Sequence, residues 1–199
     1  MSKARDRWLD EGLRVLIEEG AAGVRIDRIA ARLGLSKGSF HHHFDGADGY
    51  KRDLLAYFER LSIESLDRAI TDAAAQPDAR TVLRHLTDLI EPTPAGLYRP
   101  ELDVAIRAWS NSDPDVRAVQ TRIDAARLTA LQSVWRPYVE TEDRARIAAL
   151  LPYLLAVGAS MVSPPIDADE LRGVFEVLLP LVPEHPLVRS SAGSQASRA

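Results

Sequence analysis

Apolar residues recur at intervals of three and four along nearly all of this 199-residue chain, and no stretch alternates apolar with polar as a half-buried strand would. That periodicity restricts the chain to helices packed on helices, so the expected fold class is all-α. Leu9, Leu13, Leu16 and Ile17 form one stripe of a first helix over residues 3–19, which the glycines of "EGAAG" stop. Ile26, Ile29, Ala30 and Leu33 fall at i, i+3, i+4 and i+7 of a second helix. Gly34 ends it, and the Ser36 hydroxyl can cap a short third helix. After "FDGADG" a long helix carries Tyr50, Leu54, Phe58 and Leu61. Further helices are predicted over residues 78–90, 100–110, 114–139, 142–161 and 167–181, parted by the breakers "EPTPAG", "NSDP" and "SPPID". The 114–139 helix is apolar on two faces, which predicts a central position. The last residues, "SSAGSQASRA", offer nothing to a core and predict a disordered tail.

The chain contains no cysteine, hence no disulfide framework and no thiolate site, and its charged N-terminus lacks the apolar core of a signal peptide. A cytoplasmic location is expected. The longest apolar run, residues 147–162, falls short of the ~20 residues that span hydrocarbon and contains Pro152, so it predicts a buried helix and no membrane partner. Net charge is −4, but residues 1–45 hold eight Lys or Arg against seven Asp or Glu, and the remainder 17 against 22. The first segment is thus the less repulsive one for a polyanion.

Residues 26–44 read as helix, a turn through Gly34, and a second short helix, the arrangement of a helix-turn-helix. Ala30 is small where two helices must approach, Leu35 plugs the turn, and Phe40 and Phe44 anchor the second helix one turn apart. The other face is left with Lys37, Gly38, Ser39, His41 and His42: donors, small residues and no acid. Such a face suits the major groove, with flanking groups and the helix N-terminus near phosphates. The run "HHH" does not predict a metal site, because successive helical residues point ~100° apart and adjacent imidazoles cannot converge on one ion. No cofactor is expected.

The string "IAARLGLSKGSFHHHF" resembles the N-terminal DNA-binding domain of the TetR family of transcriptional regulators, whose pattern is approximately I-A-x-x-x-G-V-S-x-G-x-x-Y-x-H/Y-F. Ile29, Ala30, Gly34, Ser36, Gly38, His43 and Phe44 match it, with Leu35 for the usual valine. The resemblance implies a homodimer whose N-terminal domains grip a palindromic operator in double-stranded DNA and whose C-terminal domains bind a small-molecule effector. It implies Lys37, Gly38, Ser39 and His42 nearest the bases and Ser36, His41 and His43 nearer phosphates. The chain departs from the pattern at Arg25 and Ile26, where Ser or Thr is usual, at His41 in place of Tyr, and at Ala47 in place of a phosphate-binding Lys. A weaker phosphate grip is therefore expected, offset by Arg25, Arg28, Lys51 or Arg52.

The domain boundaries expected are 1–46 for the helix-turn-helix domain, 47–183 for the helical ligand-binding and dimerisation domain, and 184–199 for the tail. Aromatic residues at helical spacing ordinarily fill a core. The effector pocket that the resemblance implies has Tyr98, Trp109, Trp135, Tyr138, Met161 and Phe175 as its candidate lining. Arg107, Arg122 and Arg127 are expected to pair internally, with Asp103 and Asp124. Leu150, Leu151, Leu154, Val157, Leu171, Val174 and Leu178 give the last two helices more apolar surface than one domain needs, and the resemblance implies a four-helix interface between two chains. An enzyme is not expected, since G-x-S-x-G, H-E-x-x-H and a phosphate-cradling glycine loop are all absent from the sequence. A dimeric helical adaptor with a degenerate helix-turn-helix is the alternative reading, followed by an all-helical enzyme that uses scattered carboxylates.

Overall fold

The protein, described here by a computed structural model, is placed over residues 3–74, 78, 80, 81, 84 and 100–182. Most of the helix expected over 78–90, the residue Tyr98 and the expected tail lie outside the described residues. The described elements are helical. Helix α1 (Lys3–Glu19) buries Leu9, Leu13 and Leu16 of the expected stripe, leaves Ile17 half-buried, and buries Trp8 and Val15 as well. Gly20 stops it at a positive φ of 71° that favours glycine, its N–H donating to the Leu16 carbonyl at 3.0 Å. Helices α2 (Ile26–Leu33) and α3 (Lys37–His41) follow, and then α4 (Gly46–Ala74). The α4 helix begins inside "FDGADG" rather than after it, its first turn closed by the Gly49 N–H donating to the Asp45 carbonyl at 3.2 Å.

Helix α5 (Pro100–Ser110) turns Leu102 and Ile106 inward. Asp113 then caps α6 (Pro114–Trp135) by accepting the N–H groups of Asp115 and Val116 at 3.0 and 3.3 Å, with Pro114 in the first turn where its missing N–H costs nothing. The α-helix was expected to run to residue 139. It ends at Trp135, and Arg136–Tyr138 form a 3₁₀ turn, because Pro137 cannot continue an α-helical hydrogen-bond ladder. Thr141 caps α7 (Glu142–Met161) and Asp167 caps α8 (Ala168–Leu178), which tightens into a 3₁₀ turn at Pro180. As its two apolar faces predict, α6 is central, packing on α4, α5 and α7.

The main core runs from α1 through α6. Trp8, Leu9, Leu16, Ile29, Phe40, Tyr50, Leu54 and Phe58 share one cluster with Leu102, Ile106, Val116, Val119 and Ile123, so it continues across residue 46. Two smaller clusters form at the far end, Trp135 with Ala145, Ala149, Leu179 and Val182, and Ala159 with Leu171 and Phe175. The expectation that residues 147–162 form a buried helix needs correction. Helix α7 is 20 residues long with a mean hydropathy of 1.2 over its most apolar window, and only 22% of that window is buried. By length and composition it could cross a membrane, but one face is committed to protein: Ala145, Ala149 and Ala159 are buried and the Tyr153 hydroxyl is bonded to α6. Its other face carries Ile147, Leu151, Leu154 and Met161, which are 63, 47, 61 and 55% exposed.

Candidate nucleic-acid interface

The turn between α2 and α3 is built from backbone geometry that its sequence permits. Gly34 sits at φ 66°, where a side chain would be strained, and its N–H donates to the Ala31 carbonyl at 3.2 Å while the Leu35 N–H reaches back to the Ala30 carbonyl at 2.9 Å. These paired bonds close α2 and turn Leu35 onto the core. Ser36 then caps α3, its hydroxyl oxygen accepting the Ser39 N–H at 3.2 Å. The short helix is held from behind by aromatic packing. Phe40 is fully buried, edge-on to Trp8 with ring centroids 5.4 Å apart and near Phe44 (5.1 Å) and Tyr50 (5.5 Å). Tyr50 in turn donates its hydroxyl hydrogen to the Trp8 carbonyl at 2.7 Å, and burial pushes its phenol well above the ordinary range.

With Phe40 and Phe44 inward, the opposite side of α3 is outward. Lys37, Gly38, His41 and His42 are exposed, and Ser39 and His43 are half-buried. The structure thus brings the expected residues Ser36, Lys37, Gly38, Ser39, His41, His42 and His43 together on one short segment. Its α-helical part ends at His41, however, and His42 and His43 belong to the turn that follows. The His41 ring stands edge-on to Phe40 at 5.4 Å and the His43 ring edge-on to Phe44 at 6.2 Å. Among the described residues no group of His, Asp or Glu side chains is arranged to hold a metal ion.

Arg25 lies apart from this segment, at the N-terminus of α2, where its guanidinium pairs with Asp27 at 3.0 Å. Neighbouring cations are committed in the same way. Arg28 pairs with Glu19, and Arg32 with Glu11 (2.6 Å), Glu18 (2.6 Å) and Glu19 (3.4 Å). Arg14 also reaches Glu11, and Arg5 pairs with Asp53. Lys51, an expected substitute phosphate contact, instead bridges α4 to the start of α6, 2.6 Å from Asp113 and 2.9 Å from Asp115, and these carboxylates hold its ammonium above the ordinary lysine range. Sequence reasoning missed Glu11, the buried acid at the centre of this net. Its signal was an acidic residue within the buried stripe of α1, three residues before Arg14.

The candidate effector residues are not brought together. Trp109 packs against the main core, Trp135 and Tyr138 belong to the second cluster, Phe175 is in the third, and Met161 is largely exposed. The buried Trp135 indole N–H has no partner within the described residues. A polar network occupies the junction of α5, α6 and α7. Arg107 forms a two-pronged pair with Asp124 (3.0 and 2.8 Å), Arg127 reaches both oxygens of buried Asp103 (3.0 and 2.9 Å), and Tyr153 and Gln120 each donate to Asp124 at 2.6 Å. Two of the three expected internal arginine pairs are therefore with Asp103 and Asp124, while Arg122 pairs with Glu59 of α4 at 2.6 Å. Burial and its bond to Asp124 push the Tyr153 phenol up to about 12.

Of the expected dimer residues, Leu151, Leu154 and Val174 are exposed, Leu150, Val157 and Leu178 half-buried, and Leu171 is buried against Ala159 and Phe175. Ile147, Val162, Ile166 and Val177 are exposed beside them, and they were not anticipated.

Residues 9–56 match the family model described as bacterial regulatory proteins, tetR family. An uncharacterised HTH-type transcriptional regulator of Bacillus subtilis, YerO, is 23% identical over 86 residues, which cover 43% of this chain and 30% of that relative's length. A transcriptional regulator of Saccharomonospora viridis, crystallised in complex with choline, superposes with a TM-score of 0.70 at 23% identity, covering 90% of this chain and 97% of that one. The reduced form of E. coli NemR superposes with a TM-score of 0.73 at 16% identity, covering 92% and 99%.

Proposed function

We propose that this chain, whose residues 9–56 match the tetR-family model, is a transcriptional regulator: a ligand-responsive repressor that grips a palindromic operator as a homodimer in the cytoplasm. The observation that carries this reading is the outer side of α3, where Lys37, Gly38, His41 and His42 are exposed on a helix held rigidly from behind by Phe40. Lys37, Gly38, Ser39 and His42 meet base edges, and Ser36, His41, His43 and Arg25 lie toward the backbone. Two such helices ~34 to 36 Å apart enter successive major grooves on one side of the duplex.

The uncovered apolar side chains of α7 and α8 support a dimer through these two helices, and the polar junction of α5, α6 and α7 supports an effector-responsive C-terminal domain. The choline complex of the Saccharomonospora viridis regulator supports a small organic effector. Such an effector lowers operator affinity by no more than its own preference between the two arrangements of the dimer. The test is duplex binding by wild type and Lys37→Ala across a salt series. Lys37→Ala should bind its operator less tightly, discriminate less between duplexes and show a shallower salt dependence. Equal binding of every duplex by the two proteins overturns the reading.

A further inference from the structure

The polar side chains that α3 exposes can donate, and their chemistry restricts which base edges they can read. Lys37 has three donors and no acceptor. Each imidazole of His41 and His42 can donate, and when neutral its acceptor nitrogen lies on the other side of the ring. A histidine therefore cannot set a donor and an acceptor side by side as a carboxamide does. The Ser36 hydroxyl oxygen already accepts the Ser39 N–H, and the half-buried Ser39 hydroxyl can donate or accept singly, so it contacts either kind of edge without discriminating between them. From Gly34 to Phe44 the sequence contains no Asp, Glu, Asn or Gln, and the apolar side chains of α3 and its flanks face the core.

The arginines of α2 do not alter this inventory, because Arg25, Arg28 and Arg32 are held in ion pairs with Asp27, Glu19 and Glu11. In the major groove adenine is read by a side-by-side donor and acceptor, cytosine by an acceptor, and thymine by a donor to its single acceptor O4 together with an apolar contact with its methyl group. Guanine alone presents two acceptors, N7 and O6.

Gly38 adds an independent observation. A Cβ there would meet only the Ser36 hydroxyl oxygen, at an ordinary 3.6 Å, so the fold has room for a side chain that the sequence does not supply. A bare backbone at this exposed place permits close approach by a body outside the protein.

We propose that α3 selects operator half-sites in which guanines face Lys37 and His42, and that this helix lacks the side-by-side donor and acceptor that would single out adenine. The inference rests on the DNA-binding reading above and names the chemistry of the partner. The experiment is selection from a random duplex pool with the full chain, followed by binding to the selected duplex with 7-deazaguanine at each enriched guanine. The expected pool is rich in guanine at the central contacted positions of each half-site. Loss of N7 at a contacted guanine, or its replacement by adenine, should weaken binding roughly 5- to 150-fold. Lys37→Gln, which supplies a carboxamide, should move the preference at one position from guanine to adenine.

A pool enriched in a palindrome whose contacted positions are adenine or thymine overturns this inference and leaves the DNA-binding reading intact, as does a duplex indifferent to every 7-deazaguanine. A pool that enriches no duplex overturns the DNA-binding reading itself. The deazaguanine series uses the wild-type protein, so it decides the matter even if Lys37→Gln fails to fold.

Discussion

Two glycines of the segment that matches the tetR-family model are small for opposite reasons. At Gly12 an added Cβ would fall 2.1 Å from the Tyr50 hydroxyl, which its bond to the Trp8 carbonyl holds in place. Gly12→Ala should therefore cost about 1–3 kcal/mol by overpacking, read as a lowered denaturation midpoint. At Gly38 nothing inside the protein is in the way, so Gly38→Ala should leave stability unchanged or raise it by about 0.5–1 kcal/mol, because alanine is the better helix former. Operator affinity should nonetheless fall. A variant that melts higher and still binds as wild type does would mean that nothing approaches α3 closely there. The turn chemistry of Gly34, Ser36 and Phe40 was legible in the sequence because each acts on neighbours within a few positions. The role of Gly12 was not, since it depends on a tyrosine 38 positions away.

Helix boundaries were legible wherever a cap marked them, as at Ser36, Asp113, Thr141 and Asp167, and slipped where a later proline cut a periodic run short, as after Trp135. What holds the helices to one another was only partly legible. The pairing of Arg107 and Arg127 follows from acids on the same and adjacent helices, whereas Arg122 with Glu59 depends on how α6 crosses α4. Arg107→Met would leave buried Asp103 and half-buried Asp124 short of a guanidinium and should cost on the order of 3–5 kcal/mol. Acid should expose the same network. Burial opposes ionisation of Asp124, but Arg107, Tyr153 and Gln120 outweigh it and hold the carboxyl below the usual aspartate range. Its folded value being the lower one, this contribution is complete above the unfolded value of ~3.9 and is lost as pH falls through the folded one. The stability gap between wild type and Asp124→Asn should be constant above about pH 5 and narrow below about pH 4. A gap that does not narrow in acid would contradict the ion-pair assignment.

For the molecule as a whole, the exposed large apolar side chains among the described residues lie on α7, α8 and the segment between them. Paired substitution Ile147→Glu and Leu154→Glu should yield a monomer by sedimentation with unchanged helical circular dichroism. Operator affinity should drop steeply, since one reading helix no longer brings its twin to the next groove. A dimer that survives both changes would locate the interface elsewhere. That apolar excess was visible in the sequence, but which positions turn outward was not: Leu171 and Leu178 differ from Val174 and Val177 only in how α8 is rotated onto α7. The core that continues from Trp8 and Ile29 into Ile106 and Ile123 has its own corollary. The proposed reading head has no seam along which it could be cut free. A fragment ending near residue 46 would uncover a greasy wall, so this head cannot be lent to another receiver without carrying part of its present one along.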